Sequence, residues 1–170
     1  MSEAIFVQGL TKAYGGKMVV DHLDLSVKRG TVFGLLGANG AGKSTAIECM
    51  LGTNQADTGM VRLLGKNPKK HRRELFQHIG VQFQEGNYHP EIKVSELCVE
   101  TASLYRKSAD WCTLCKQFGL GDKANAAVKG LSGGERQRLF IVLALLPKPE
   151  LVFLDELTTG LDAKARRGVW

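Results

Sequence analysis

Gly37-Ala38-Asn39-Gly40-Ala41-Gly42-Lys43-Ser44-Thr45 fits the phosphate-loop pattern G-x-x-x-x-G-K-[S/T] at every defined position. The pattern needs three residue types at fixed spacing. Gly37, Gly40 and Gly42 let backbone N–H groups close round phosphate oxygens, Lys43 reaches the β and γ phosphates, and the Ser44 hydroxyl serves Mg²⁺. The flanks agree with this reading. Thr31-Val32-Phe33-Gly34-Leu35-Leu36 is a short, mostly apolar run suited to a buried strand, and Ala46 to Leu51 continues as a helix. A dinucleotide-binding fingerprint fits worse, because Gly37, Gly40 and Gly42 do not follow G-x-G-x-x-G order. The stretch implies a nucleoside triphosphate site with Mg²⁺.

Upstream, Ala4 to Leu10 reads as a strand, and His22 to Val27 alternates polar and apolar residues as a half-buried strand does, so the two are expected to pair antiparallel. Thr11 to Gly16 reads as the loop between them. It holds one aromatic residue, Tyr14, whose ring either stacks on a purine base or anchors the loop. Downstream, Ala56-Asp57-Thr58-Gly59 is a turn signal leading into a strand at Met60 to Leu64. Pro68 suits the first turn of a basic helix running to about His78.

Ile79 to Phe83 reads as a strand ending in a loop that carries Gln84, a neutral amide able to ligate Mg²⁺ or orient a water. The β signals then stop. From about Val94 to Leu120 the pattern is helical, with Trp111, Leu114, Cys115 and Phe118 forming an apolar face, which predicts a small helical lobe inserted into an α/β core. Leu131-Ser132-Gly133-Gly134-Glu135-Arg136-Gln137 opens a further helix, with Ser132 at the N-cap and the glycines leaving its N-terminus open to an anion. Pro147 and Pro149 end it. Leu151 to Leu154 is a fully apolar strand followed by Asp155 and Glu156, two carboxylates at the carboxyl edge of a sheet, where open α/β proteins bind ligands. Beside a phosphate loop, Asp155 is placed to hold Mg²⁺ through water and Glu156 to polarise an attacking water.

Composition sets the outer bounds. The 170 residues are 44% hydrophobic and 24% charged, which suits one globular core. Neither a leader-like N-terminus nor an apolar run of membrane-spanning length is visible, so the chain reads as neither secreted nor membrane-spanning by itself. The net charge is +6, and its densest basic run is Lys66 to Arg73. Without interleaved aromatic residues this run reads as a solvated face, and no nucleic-acid partner is expected. Cys112 and Cys115 form a C-x-x-C pair with no second pair or histidines to complete a zinc site, so they read as one face of a helix in a reducing compartment.

Taken together, these motifs resemble the nucleotide-binding domain of ATP-binding cassette (ABC) transporters, from Ala4 to the last residue. Leu131 to Gln137 looks like that family's signature motif, which other phosphate-loop proteins lack. The resemblance implies a phosphate-loop NTPase core with a parallel sheet, an antiparallel β subdomain and an inserted helical subdomain. It places the α/β core at 1–86 and 136–170 and the helical subdomain at 87–135, within one ABC domain over 1–170. It makes Tyr14 the adenine-stacking residue, Gly37 to Thr45 the Walker A loop, Gln84 the Q-loop glutamine, Asp155 the Walker B aspartate, Glu156 the catalytic glutamate and Leu161-Asp162 part of the D-loop. Asn39, Ser44 and Thr45 then bind the nucleotide beside Lys43, and Ser44, Gln84 and Asp155 surround the metal.

The implied function is an ATP-hydrolysing subunit of exporter type, on the cytoplasmic face of the membrane, the alternatives being a catalytically weak or regulatory remnant of such a domain or a non-transport ABC ATPase. The exporter-type subunit acts through a separate permease, and two such domains sandwich ATP head to tail, with Ser132 and Gly134 of one against the γ-phosphate of the other. The helix dipole at Ser132 then rewards ATP over ADP.

Two departures stand out. Leu157 follows Glu156 where the family has proline, and no histidine among His22, His71, His78 and His89 stands where the family's switch histidine does. The chain thus reads as a domain ending soon after the D-loop, expected to bind nucleotide weakly and turn it over poorly when isolated.

Overall fold

The computed structural model describes residues 3–82, 88–89 and 91–154. Those residues fall into two compact units, Met1–Phe76 and Gln77–Trp170.

The first unit is built on a three-stranded antiparallel sheet, ordered β2-β1-β3, formed by β1 (Glu3–Tyr14), β2 (Lys17–Lys28) and β3 (Thr58–Leu63). Ile5, Val7 and Leu10 of β1, Val27 of β2 and Leu63 of β3 are buried, together with Ala46, Cys49, Met50 and Leu51 of helix α1 (Lys43–Leu51). This is the strand alternation and helical spacing that bury one face of each element. The register slips between Val7 and Leu10, where Gly9 has φ 58° and its N–H donates to Asp24 Oδ1 at 2.7 Å. Gly59 on β3 meets this bulge so closely that a Cβ would lie 2.6 Å from the Gly9 carbonyl oxygen.

Three expectations for this unit are corrected. Thr11 to Tyr14 is strand rather than loop: β1 continues to Tyr14, which pairs with Lys17, and only Gly15 and Gly16 turn, at φ 54° and 80°. That pair of left-handed glycines suits a two-residue hairpin, and the strand end is held by Asp57, whose carboxylate accepts the Ala13 N–H at 2.7 Å.

Thr31 to Leu36 forms no strand. Val32 and Leu36 are 90% and 92% exposed, and no described strand pairs with the run, so its backbone has no ladder to join. The basic helix is also much shorter than expected. Asn67 Oδ1 accepts the N–H groups of Lys69 and Lys70 at 2.9 and 3.3 Å, a local turn that competes with helix, and α2 covers only Arg72–Leu75. Part of the basic run is used within this unit. Lys66 pairs with Glu74, while Arg72 donates to the Gly52 carbonyl at 3.3 Å and lies over the Phe76 ring.

In the second unit, β4 (Ile79–Gln82) and β5 (Leu151–Leu154) pair in parallel, Ile79 opposite Leu151 and Gln82 opposite Leu154. Helices α3 (Val94–Ser103), α4 (Trp111–Gln117) and α5 (Gly133–Leu145) close round Val94, Cys98, Cys115, Leu120, Val128, Leu131, Leu139 and Val142. Trp111, Leu114 and Phe118 border that core as the helical pattern predicts. Cys112 and Cys115 part company: Cys115 is buried and Cys112 exposed. Burial pushes the Cys98 and Cys115 thiols up, which suits inert packing groups. Helix α5 seats on β4 through Gly80, where a Cβ would lie 2.0 Å from the Ala144 carbonyl oxygen. Among the described residues no helix is long and apolar enough to cross a membrane.

Candidate functional site

The phosphate-loop stretch forms the turn that launches α1. Ala41 N–H donates to the Ala38 carbonyl at 3.1 Å, Gly42 occupies the N-cap at φ 83°, and the Ala46 N–H returns to the Gly42 carbonyl at 2.8 Å. Glycine is required at 42 on two counts, its left-handed backbone and a Cβ that would stand 2.3 Å from the Val19 carbonyl oxygen of β2. The end of α1 is open to an anion. It has no side-chain cap and no acidic residue in its first turn, so its leading N–H groups and dipole meet no carboxylate of their own helix. Lys43 Nζ donates to the carbonyls of Gly37 and Ala38, each at 2.8 Å, so the ammonium is held at the loop. Gly40, at φ 79°, and Asn39 lie exposed in the same loop, with Ser44 and Thr45 in the first turn of α1. A cationic head, free backbone donors and a hydroxyl make a donor set that fits the phosphates of a nucleotide.

Tyr14 stands at the end of β1 with 48% of its surface exposed. Its hydroxyl accepts from Asn54 Nδ2 at 2.5 Å, and Lys12 Nζ lies 5.0 Å from the centre of its ring. Lys12 is in turn paired with Asp57 at 3.2 Å. The Ala13 N–H and then Lys12 hold the Asp57 carboxyl below its ordinary value, which favours its ionised form.

The second unit carries Ser132 and Gly134 at the start of α5. Here the expected open N-terminus is partly closed. Ser132 Oγ accepts the Glu135 N–H at 3.3 Å while Glu135 Oε2 accepts the Ser132 N–H at 2.8 Å, a reciprocal capping box. Backbone and side-chain bonds to Ser132, then Lys123 at 3.2 Å, lower the Glu135 pKa to about 2. The carboxylate is therefore charged at any physiological pH, beside the two glycine N–H groups that the box leaves free.

Gln84, Asp155, Glu156, Leu157 and Leu161-Asp162 lie outside the described residues. Among the described residues no cluster of His, Cys, Asp or Glu could hold a metal by itself, so of the expected metal set only Ser44 is placed. Sequence reasoning missed Asn54, Asp57 and Lys12, which meet Tyr14 only through the fold. It also passed over Gln82, just 4% exposed at the carboxyl end of β4, whose Oε1 finds no partner among the described residues. A polar residue at the end of an apolar strand was the available signal.

A family model described as ABC transporter matches residues 20–159. The Nod factor export ATP-binding protein I of Ralstonia nicotianae is 38% identical over 172 residues, covering 96% of this chain and 53% of that protein. The protein of the same name from Rhizobium meliloti is 40% identical, with 99% and 52% covered. The daunorubicin/doxorubicin resistance ATP-binding protein DrrA of Streptomyces peucetius is 37% identical, with 99% and 53% covered. Among solved structures, an ATP-binding subunit of an ABC transporter superposes with a TM-score of 0.85 at 25% identity, covering 98% of this chain and 71% of its own. The chain thus spans about half the length of the curated relatives it matches.

Proposed function

Because the chain belongs to the ABC transporter family, we propose that it is the ATP-binding and ATP-hydrolysing part of an exporter, working through a separate membrane permease. The observation that carries the proposal is the start of α1: an uncapped helix N-terminus behind Gly42, with the Lys43 ammonium held at the loop. Export is supported by the names of the Nod factor relatives, which are export ATP-binding proteins.

In this reading the loop amides and Lys43 bind the β and γ phosphates, Gly37, Gly40 and Gly42 giving them close approach, with Asn39, Ser44 and Thr45 alongside. Tyr14 stacks on the adenine. Ser44, with Gln84 and Asp155, would hold Mg²⁺, which would supply neutralising charge for the phosphoryl group. Glu156 polarises the attacking water, and the Gln84 amide helps to orient it. A second nucleotide-binding domain presents Ser132 and Gly134 to the γ-phosphate, so that closure follows ATP occupancy and opening follows hydrolysis. The protein then works at the cytoplasmic face of the membrane, bound to its permease.

Glu156→Gln tests the chemistry, because it keeps the shape and removes the charge that polarises water. Phosphate release from MgATP is expected to fall about a hundredfold, the usual scale for losing a general base, with nucleotide binding retained. Turnover at the unmodified rate would remove Glu156 from its role.

A further inference from the structure

Residues 53–57 lie between α1 and β3, and two of them, Asn54 and Asp57, bond to the end of β1. Asp57 makes three bonds there: its N–H donates to the Thr11 carbonyl at 2.9 Å, one carboxylate oxygen accepts the Ala13 N–H at 2.7 Å, and the other takes Lys12 Nζ at 3.2 Å. Lys12, only 13% exposed in its side chain, is thereby held beside the Tyr14 ring. From the same segment Asn54 uses both hydrogens of one amide, donating to the Tyr14 hydroxyl at 2.5 Å and to Glu48 Oε2 at 3.1 Å. Glu48 belongs to α1, and its carbonyl also accepts the N–H groups of Thr53 and Asn54 at 3.0 and 3.2 Å. The Tyr14 ring is therefore tied through Asn54 to the helix whose first turn forms the phosphate loop.

We infer that Asn54 is a positioning residue for nucleotide binding, fixing the Tyr14 ring relative to α1 so that base and phosphates are met at a set spacing, with Lys12 and Asp57 bracing the ring from the strand side. The inference rests on Tyr14 being the base platform. An aromatic ring at a strand end has free χ rotation, and fixing it beforehand removes an ordering cost that the ligand would otherwise meet. The Lys12 ammonium near the ring adds a favourable cation–π contact that also restricts it.

The test compares MgATP with inorganic tripolyphosphate, which has phosphates and no base, by calorimetric titration into the unmodified chain, Asn54→Ala, Tyr14→Ala and the double variant. Asn54→Ala is expected to weaken ATP binding about fivefold, the scale of one net hydrogen bond, and to leave tripolyphosphate unchanged. In the Tyr14→Ala background the same change should add nothing, because the ring it positions is gone. Equal weakening of both ligands, no weakening of ATP, or an additive loss in the double variant would each overturn the positioning role.

Tyr14→Ala read alone separates the two levels: if it leaves ATP affinity intact, the base-platform reading itself fails. Asn54→Leu, which keeps the approximate shape and removes every hydrogen-bonding atom, carries the same expectation should the alanine variant not fold.

Discussion

Lys43→Ala is expected to weaken MgATP binding by about a hundredfold or more while barely moving the melting temperature. The Lys43 ammonium lies within 2.8 Å of two loop carbonyls, poised where phosphate oxygens would be more favourable partners. Charge-assisted hydrogen bonds contribute about 1.5–3 kcal/mol each, so losing two of them costs at least about 3 kcal/mol of binding. At about 1.4 kcal/mol per tenfold change, that is two decades or more. Stability should change little, since both bonds are solvent-exposed and such contacts contribute under about 1 kcal/mol. Calorimetry beside a thermal melt checks both halves. Unchanged affinity would show that the loop does not hold the phosphates, and a collapsed melting temperature would show that Lys43 serves the fold instead.

Gly80→Ala carries the largest effect expected on stability. Its new Cβ would stand 2.0 Å from the Ala144 oxygen, 3.0 Å from the carbonyl carbon and 3.2 Å from Pro149 Cγ. The nearest of these is backbone, and backbone cannot rotate away. To relieve the contact, the end of α5 must lift from β4, opening the packing round Val142 and Leu146, both fully buried. Overpacking of this kind costs about 3 kcal/mol, at the upper end of ordinary substitutions. For a chain of this size that lowers the melting temperature by about 6–12 °C, measurable by circular dichroism. A shift of under about 2 °C would mean that α5 does not seat on Gly80 as described.

Legibility in the sequence followed the range of the interaction. The turn into α1 and the cap on α5 are each written within a few consecutive residues, Gly42-Lys43 in one case and Ser132 to Glu135 in the other, so motif and geometry coincide. Strand β5 was equally plain, as four apolar residues between prolines and acids. Thr31 to Leu36 misled because composition states a preference for strand but cannot supply the ladder that makes one. The basic helix failed for a local reason: Asn67 offered the backbone a turn that competed with continuing helix.

Tyr14 stands out in the sequence by its chemical type, whereas the residues that hold it do not. Asn54 lies 40 residues away and Asp57 44 residues from Ala13, and nothing in either residue's neighbours announces the contact. Gly80 was hidden in the same way, since its need for a bare backbone arises only where α5 crosses β4.

Nucleotide binding at the phosphate loop is read residue by residue from the backbone amide resonances of the ¹⁵N-labelled chain as MgATP is added. Saturable shifts are expected, concentrated at Gly40 to Thr45 and at Tyr14, with tripolyphosphate reproducing the loop shifts but not those at Tyr14. Shifts that avoid the loop while ATP binds, or no saturable shifts at any site, would contradict it.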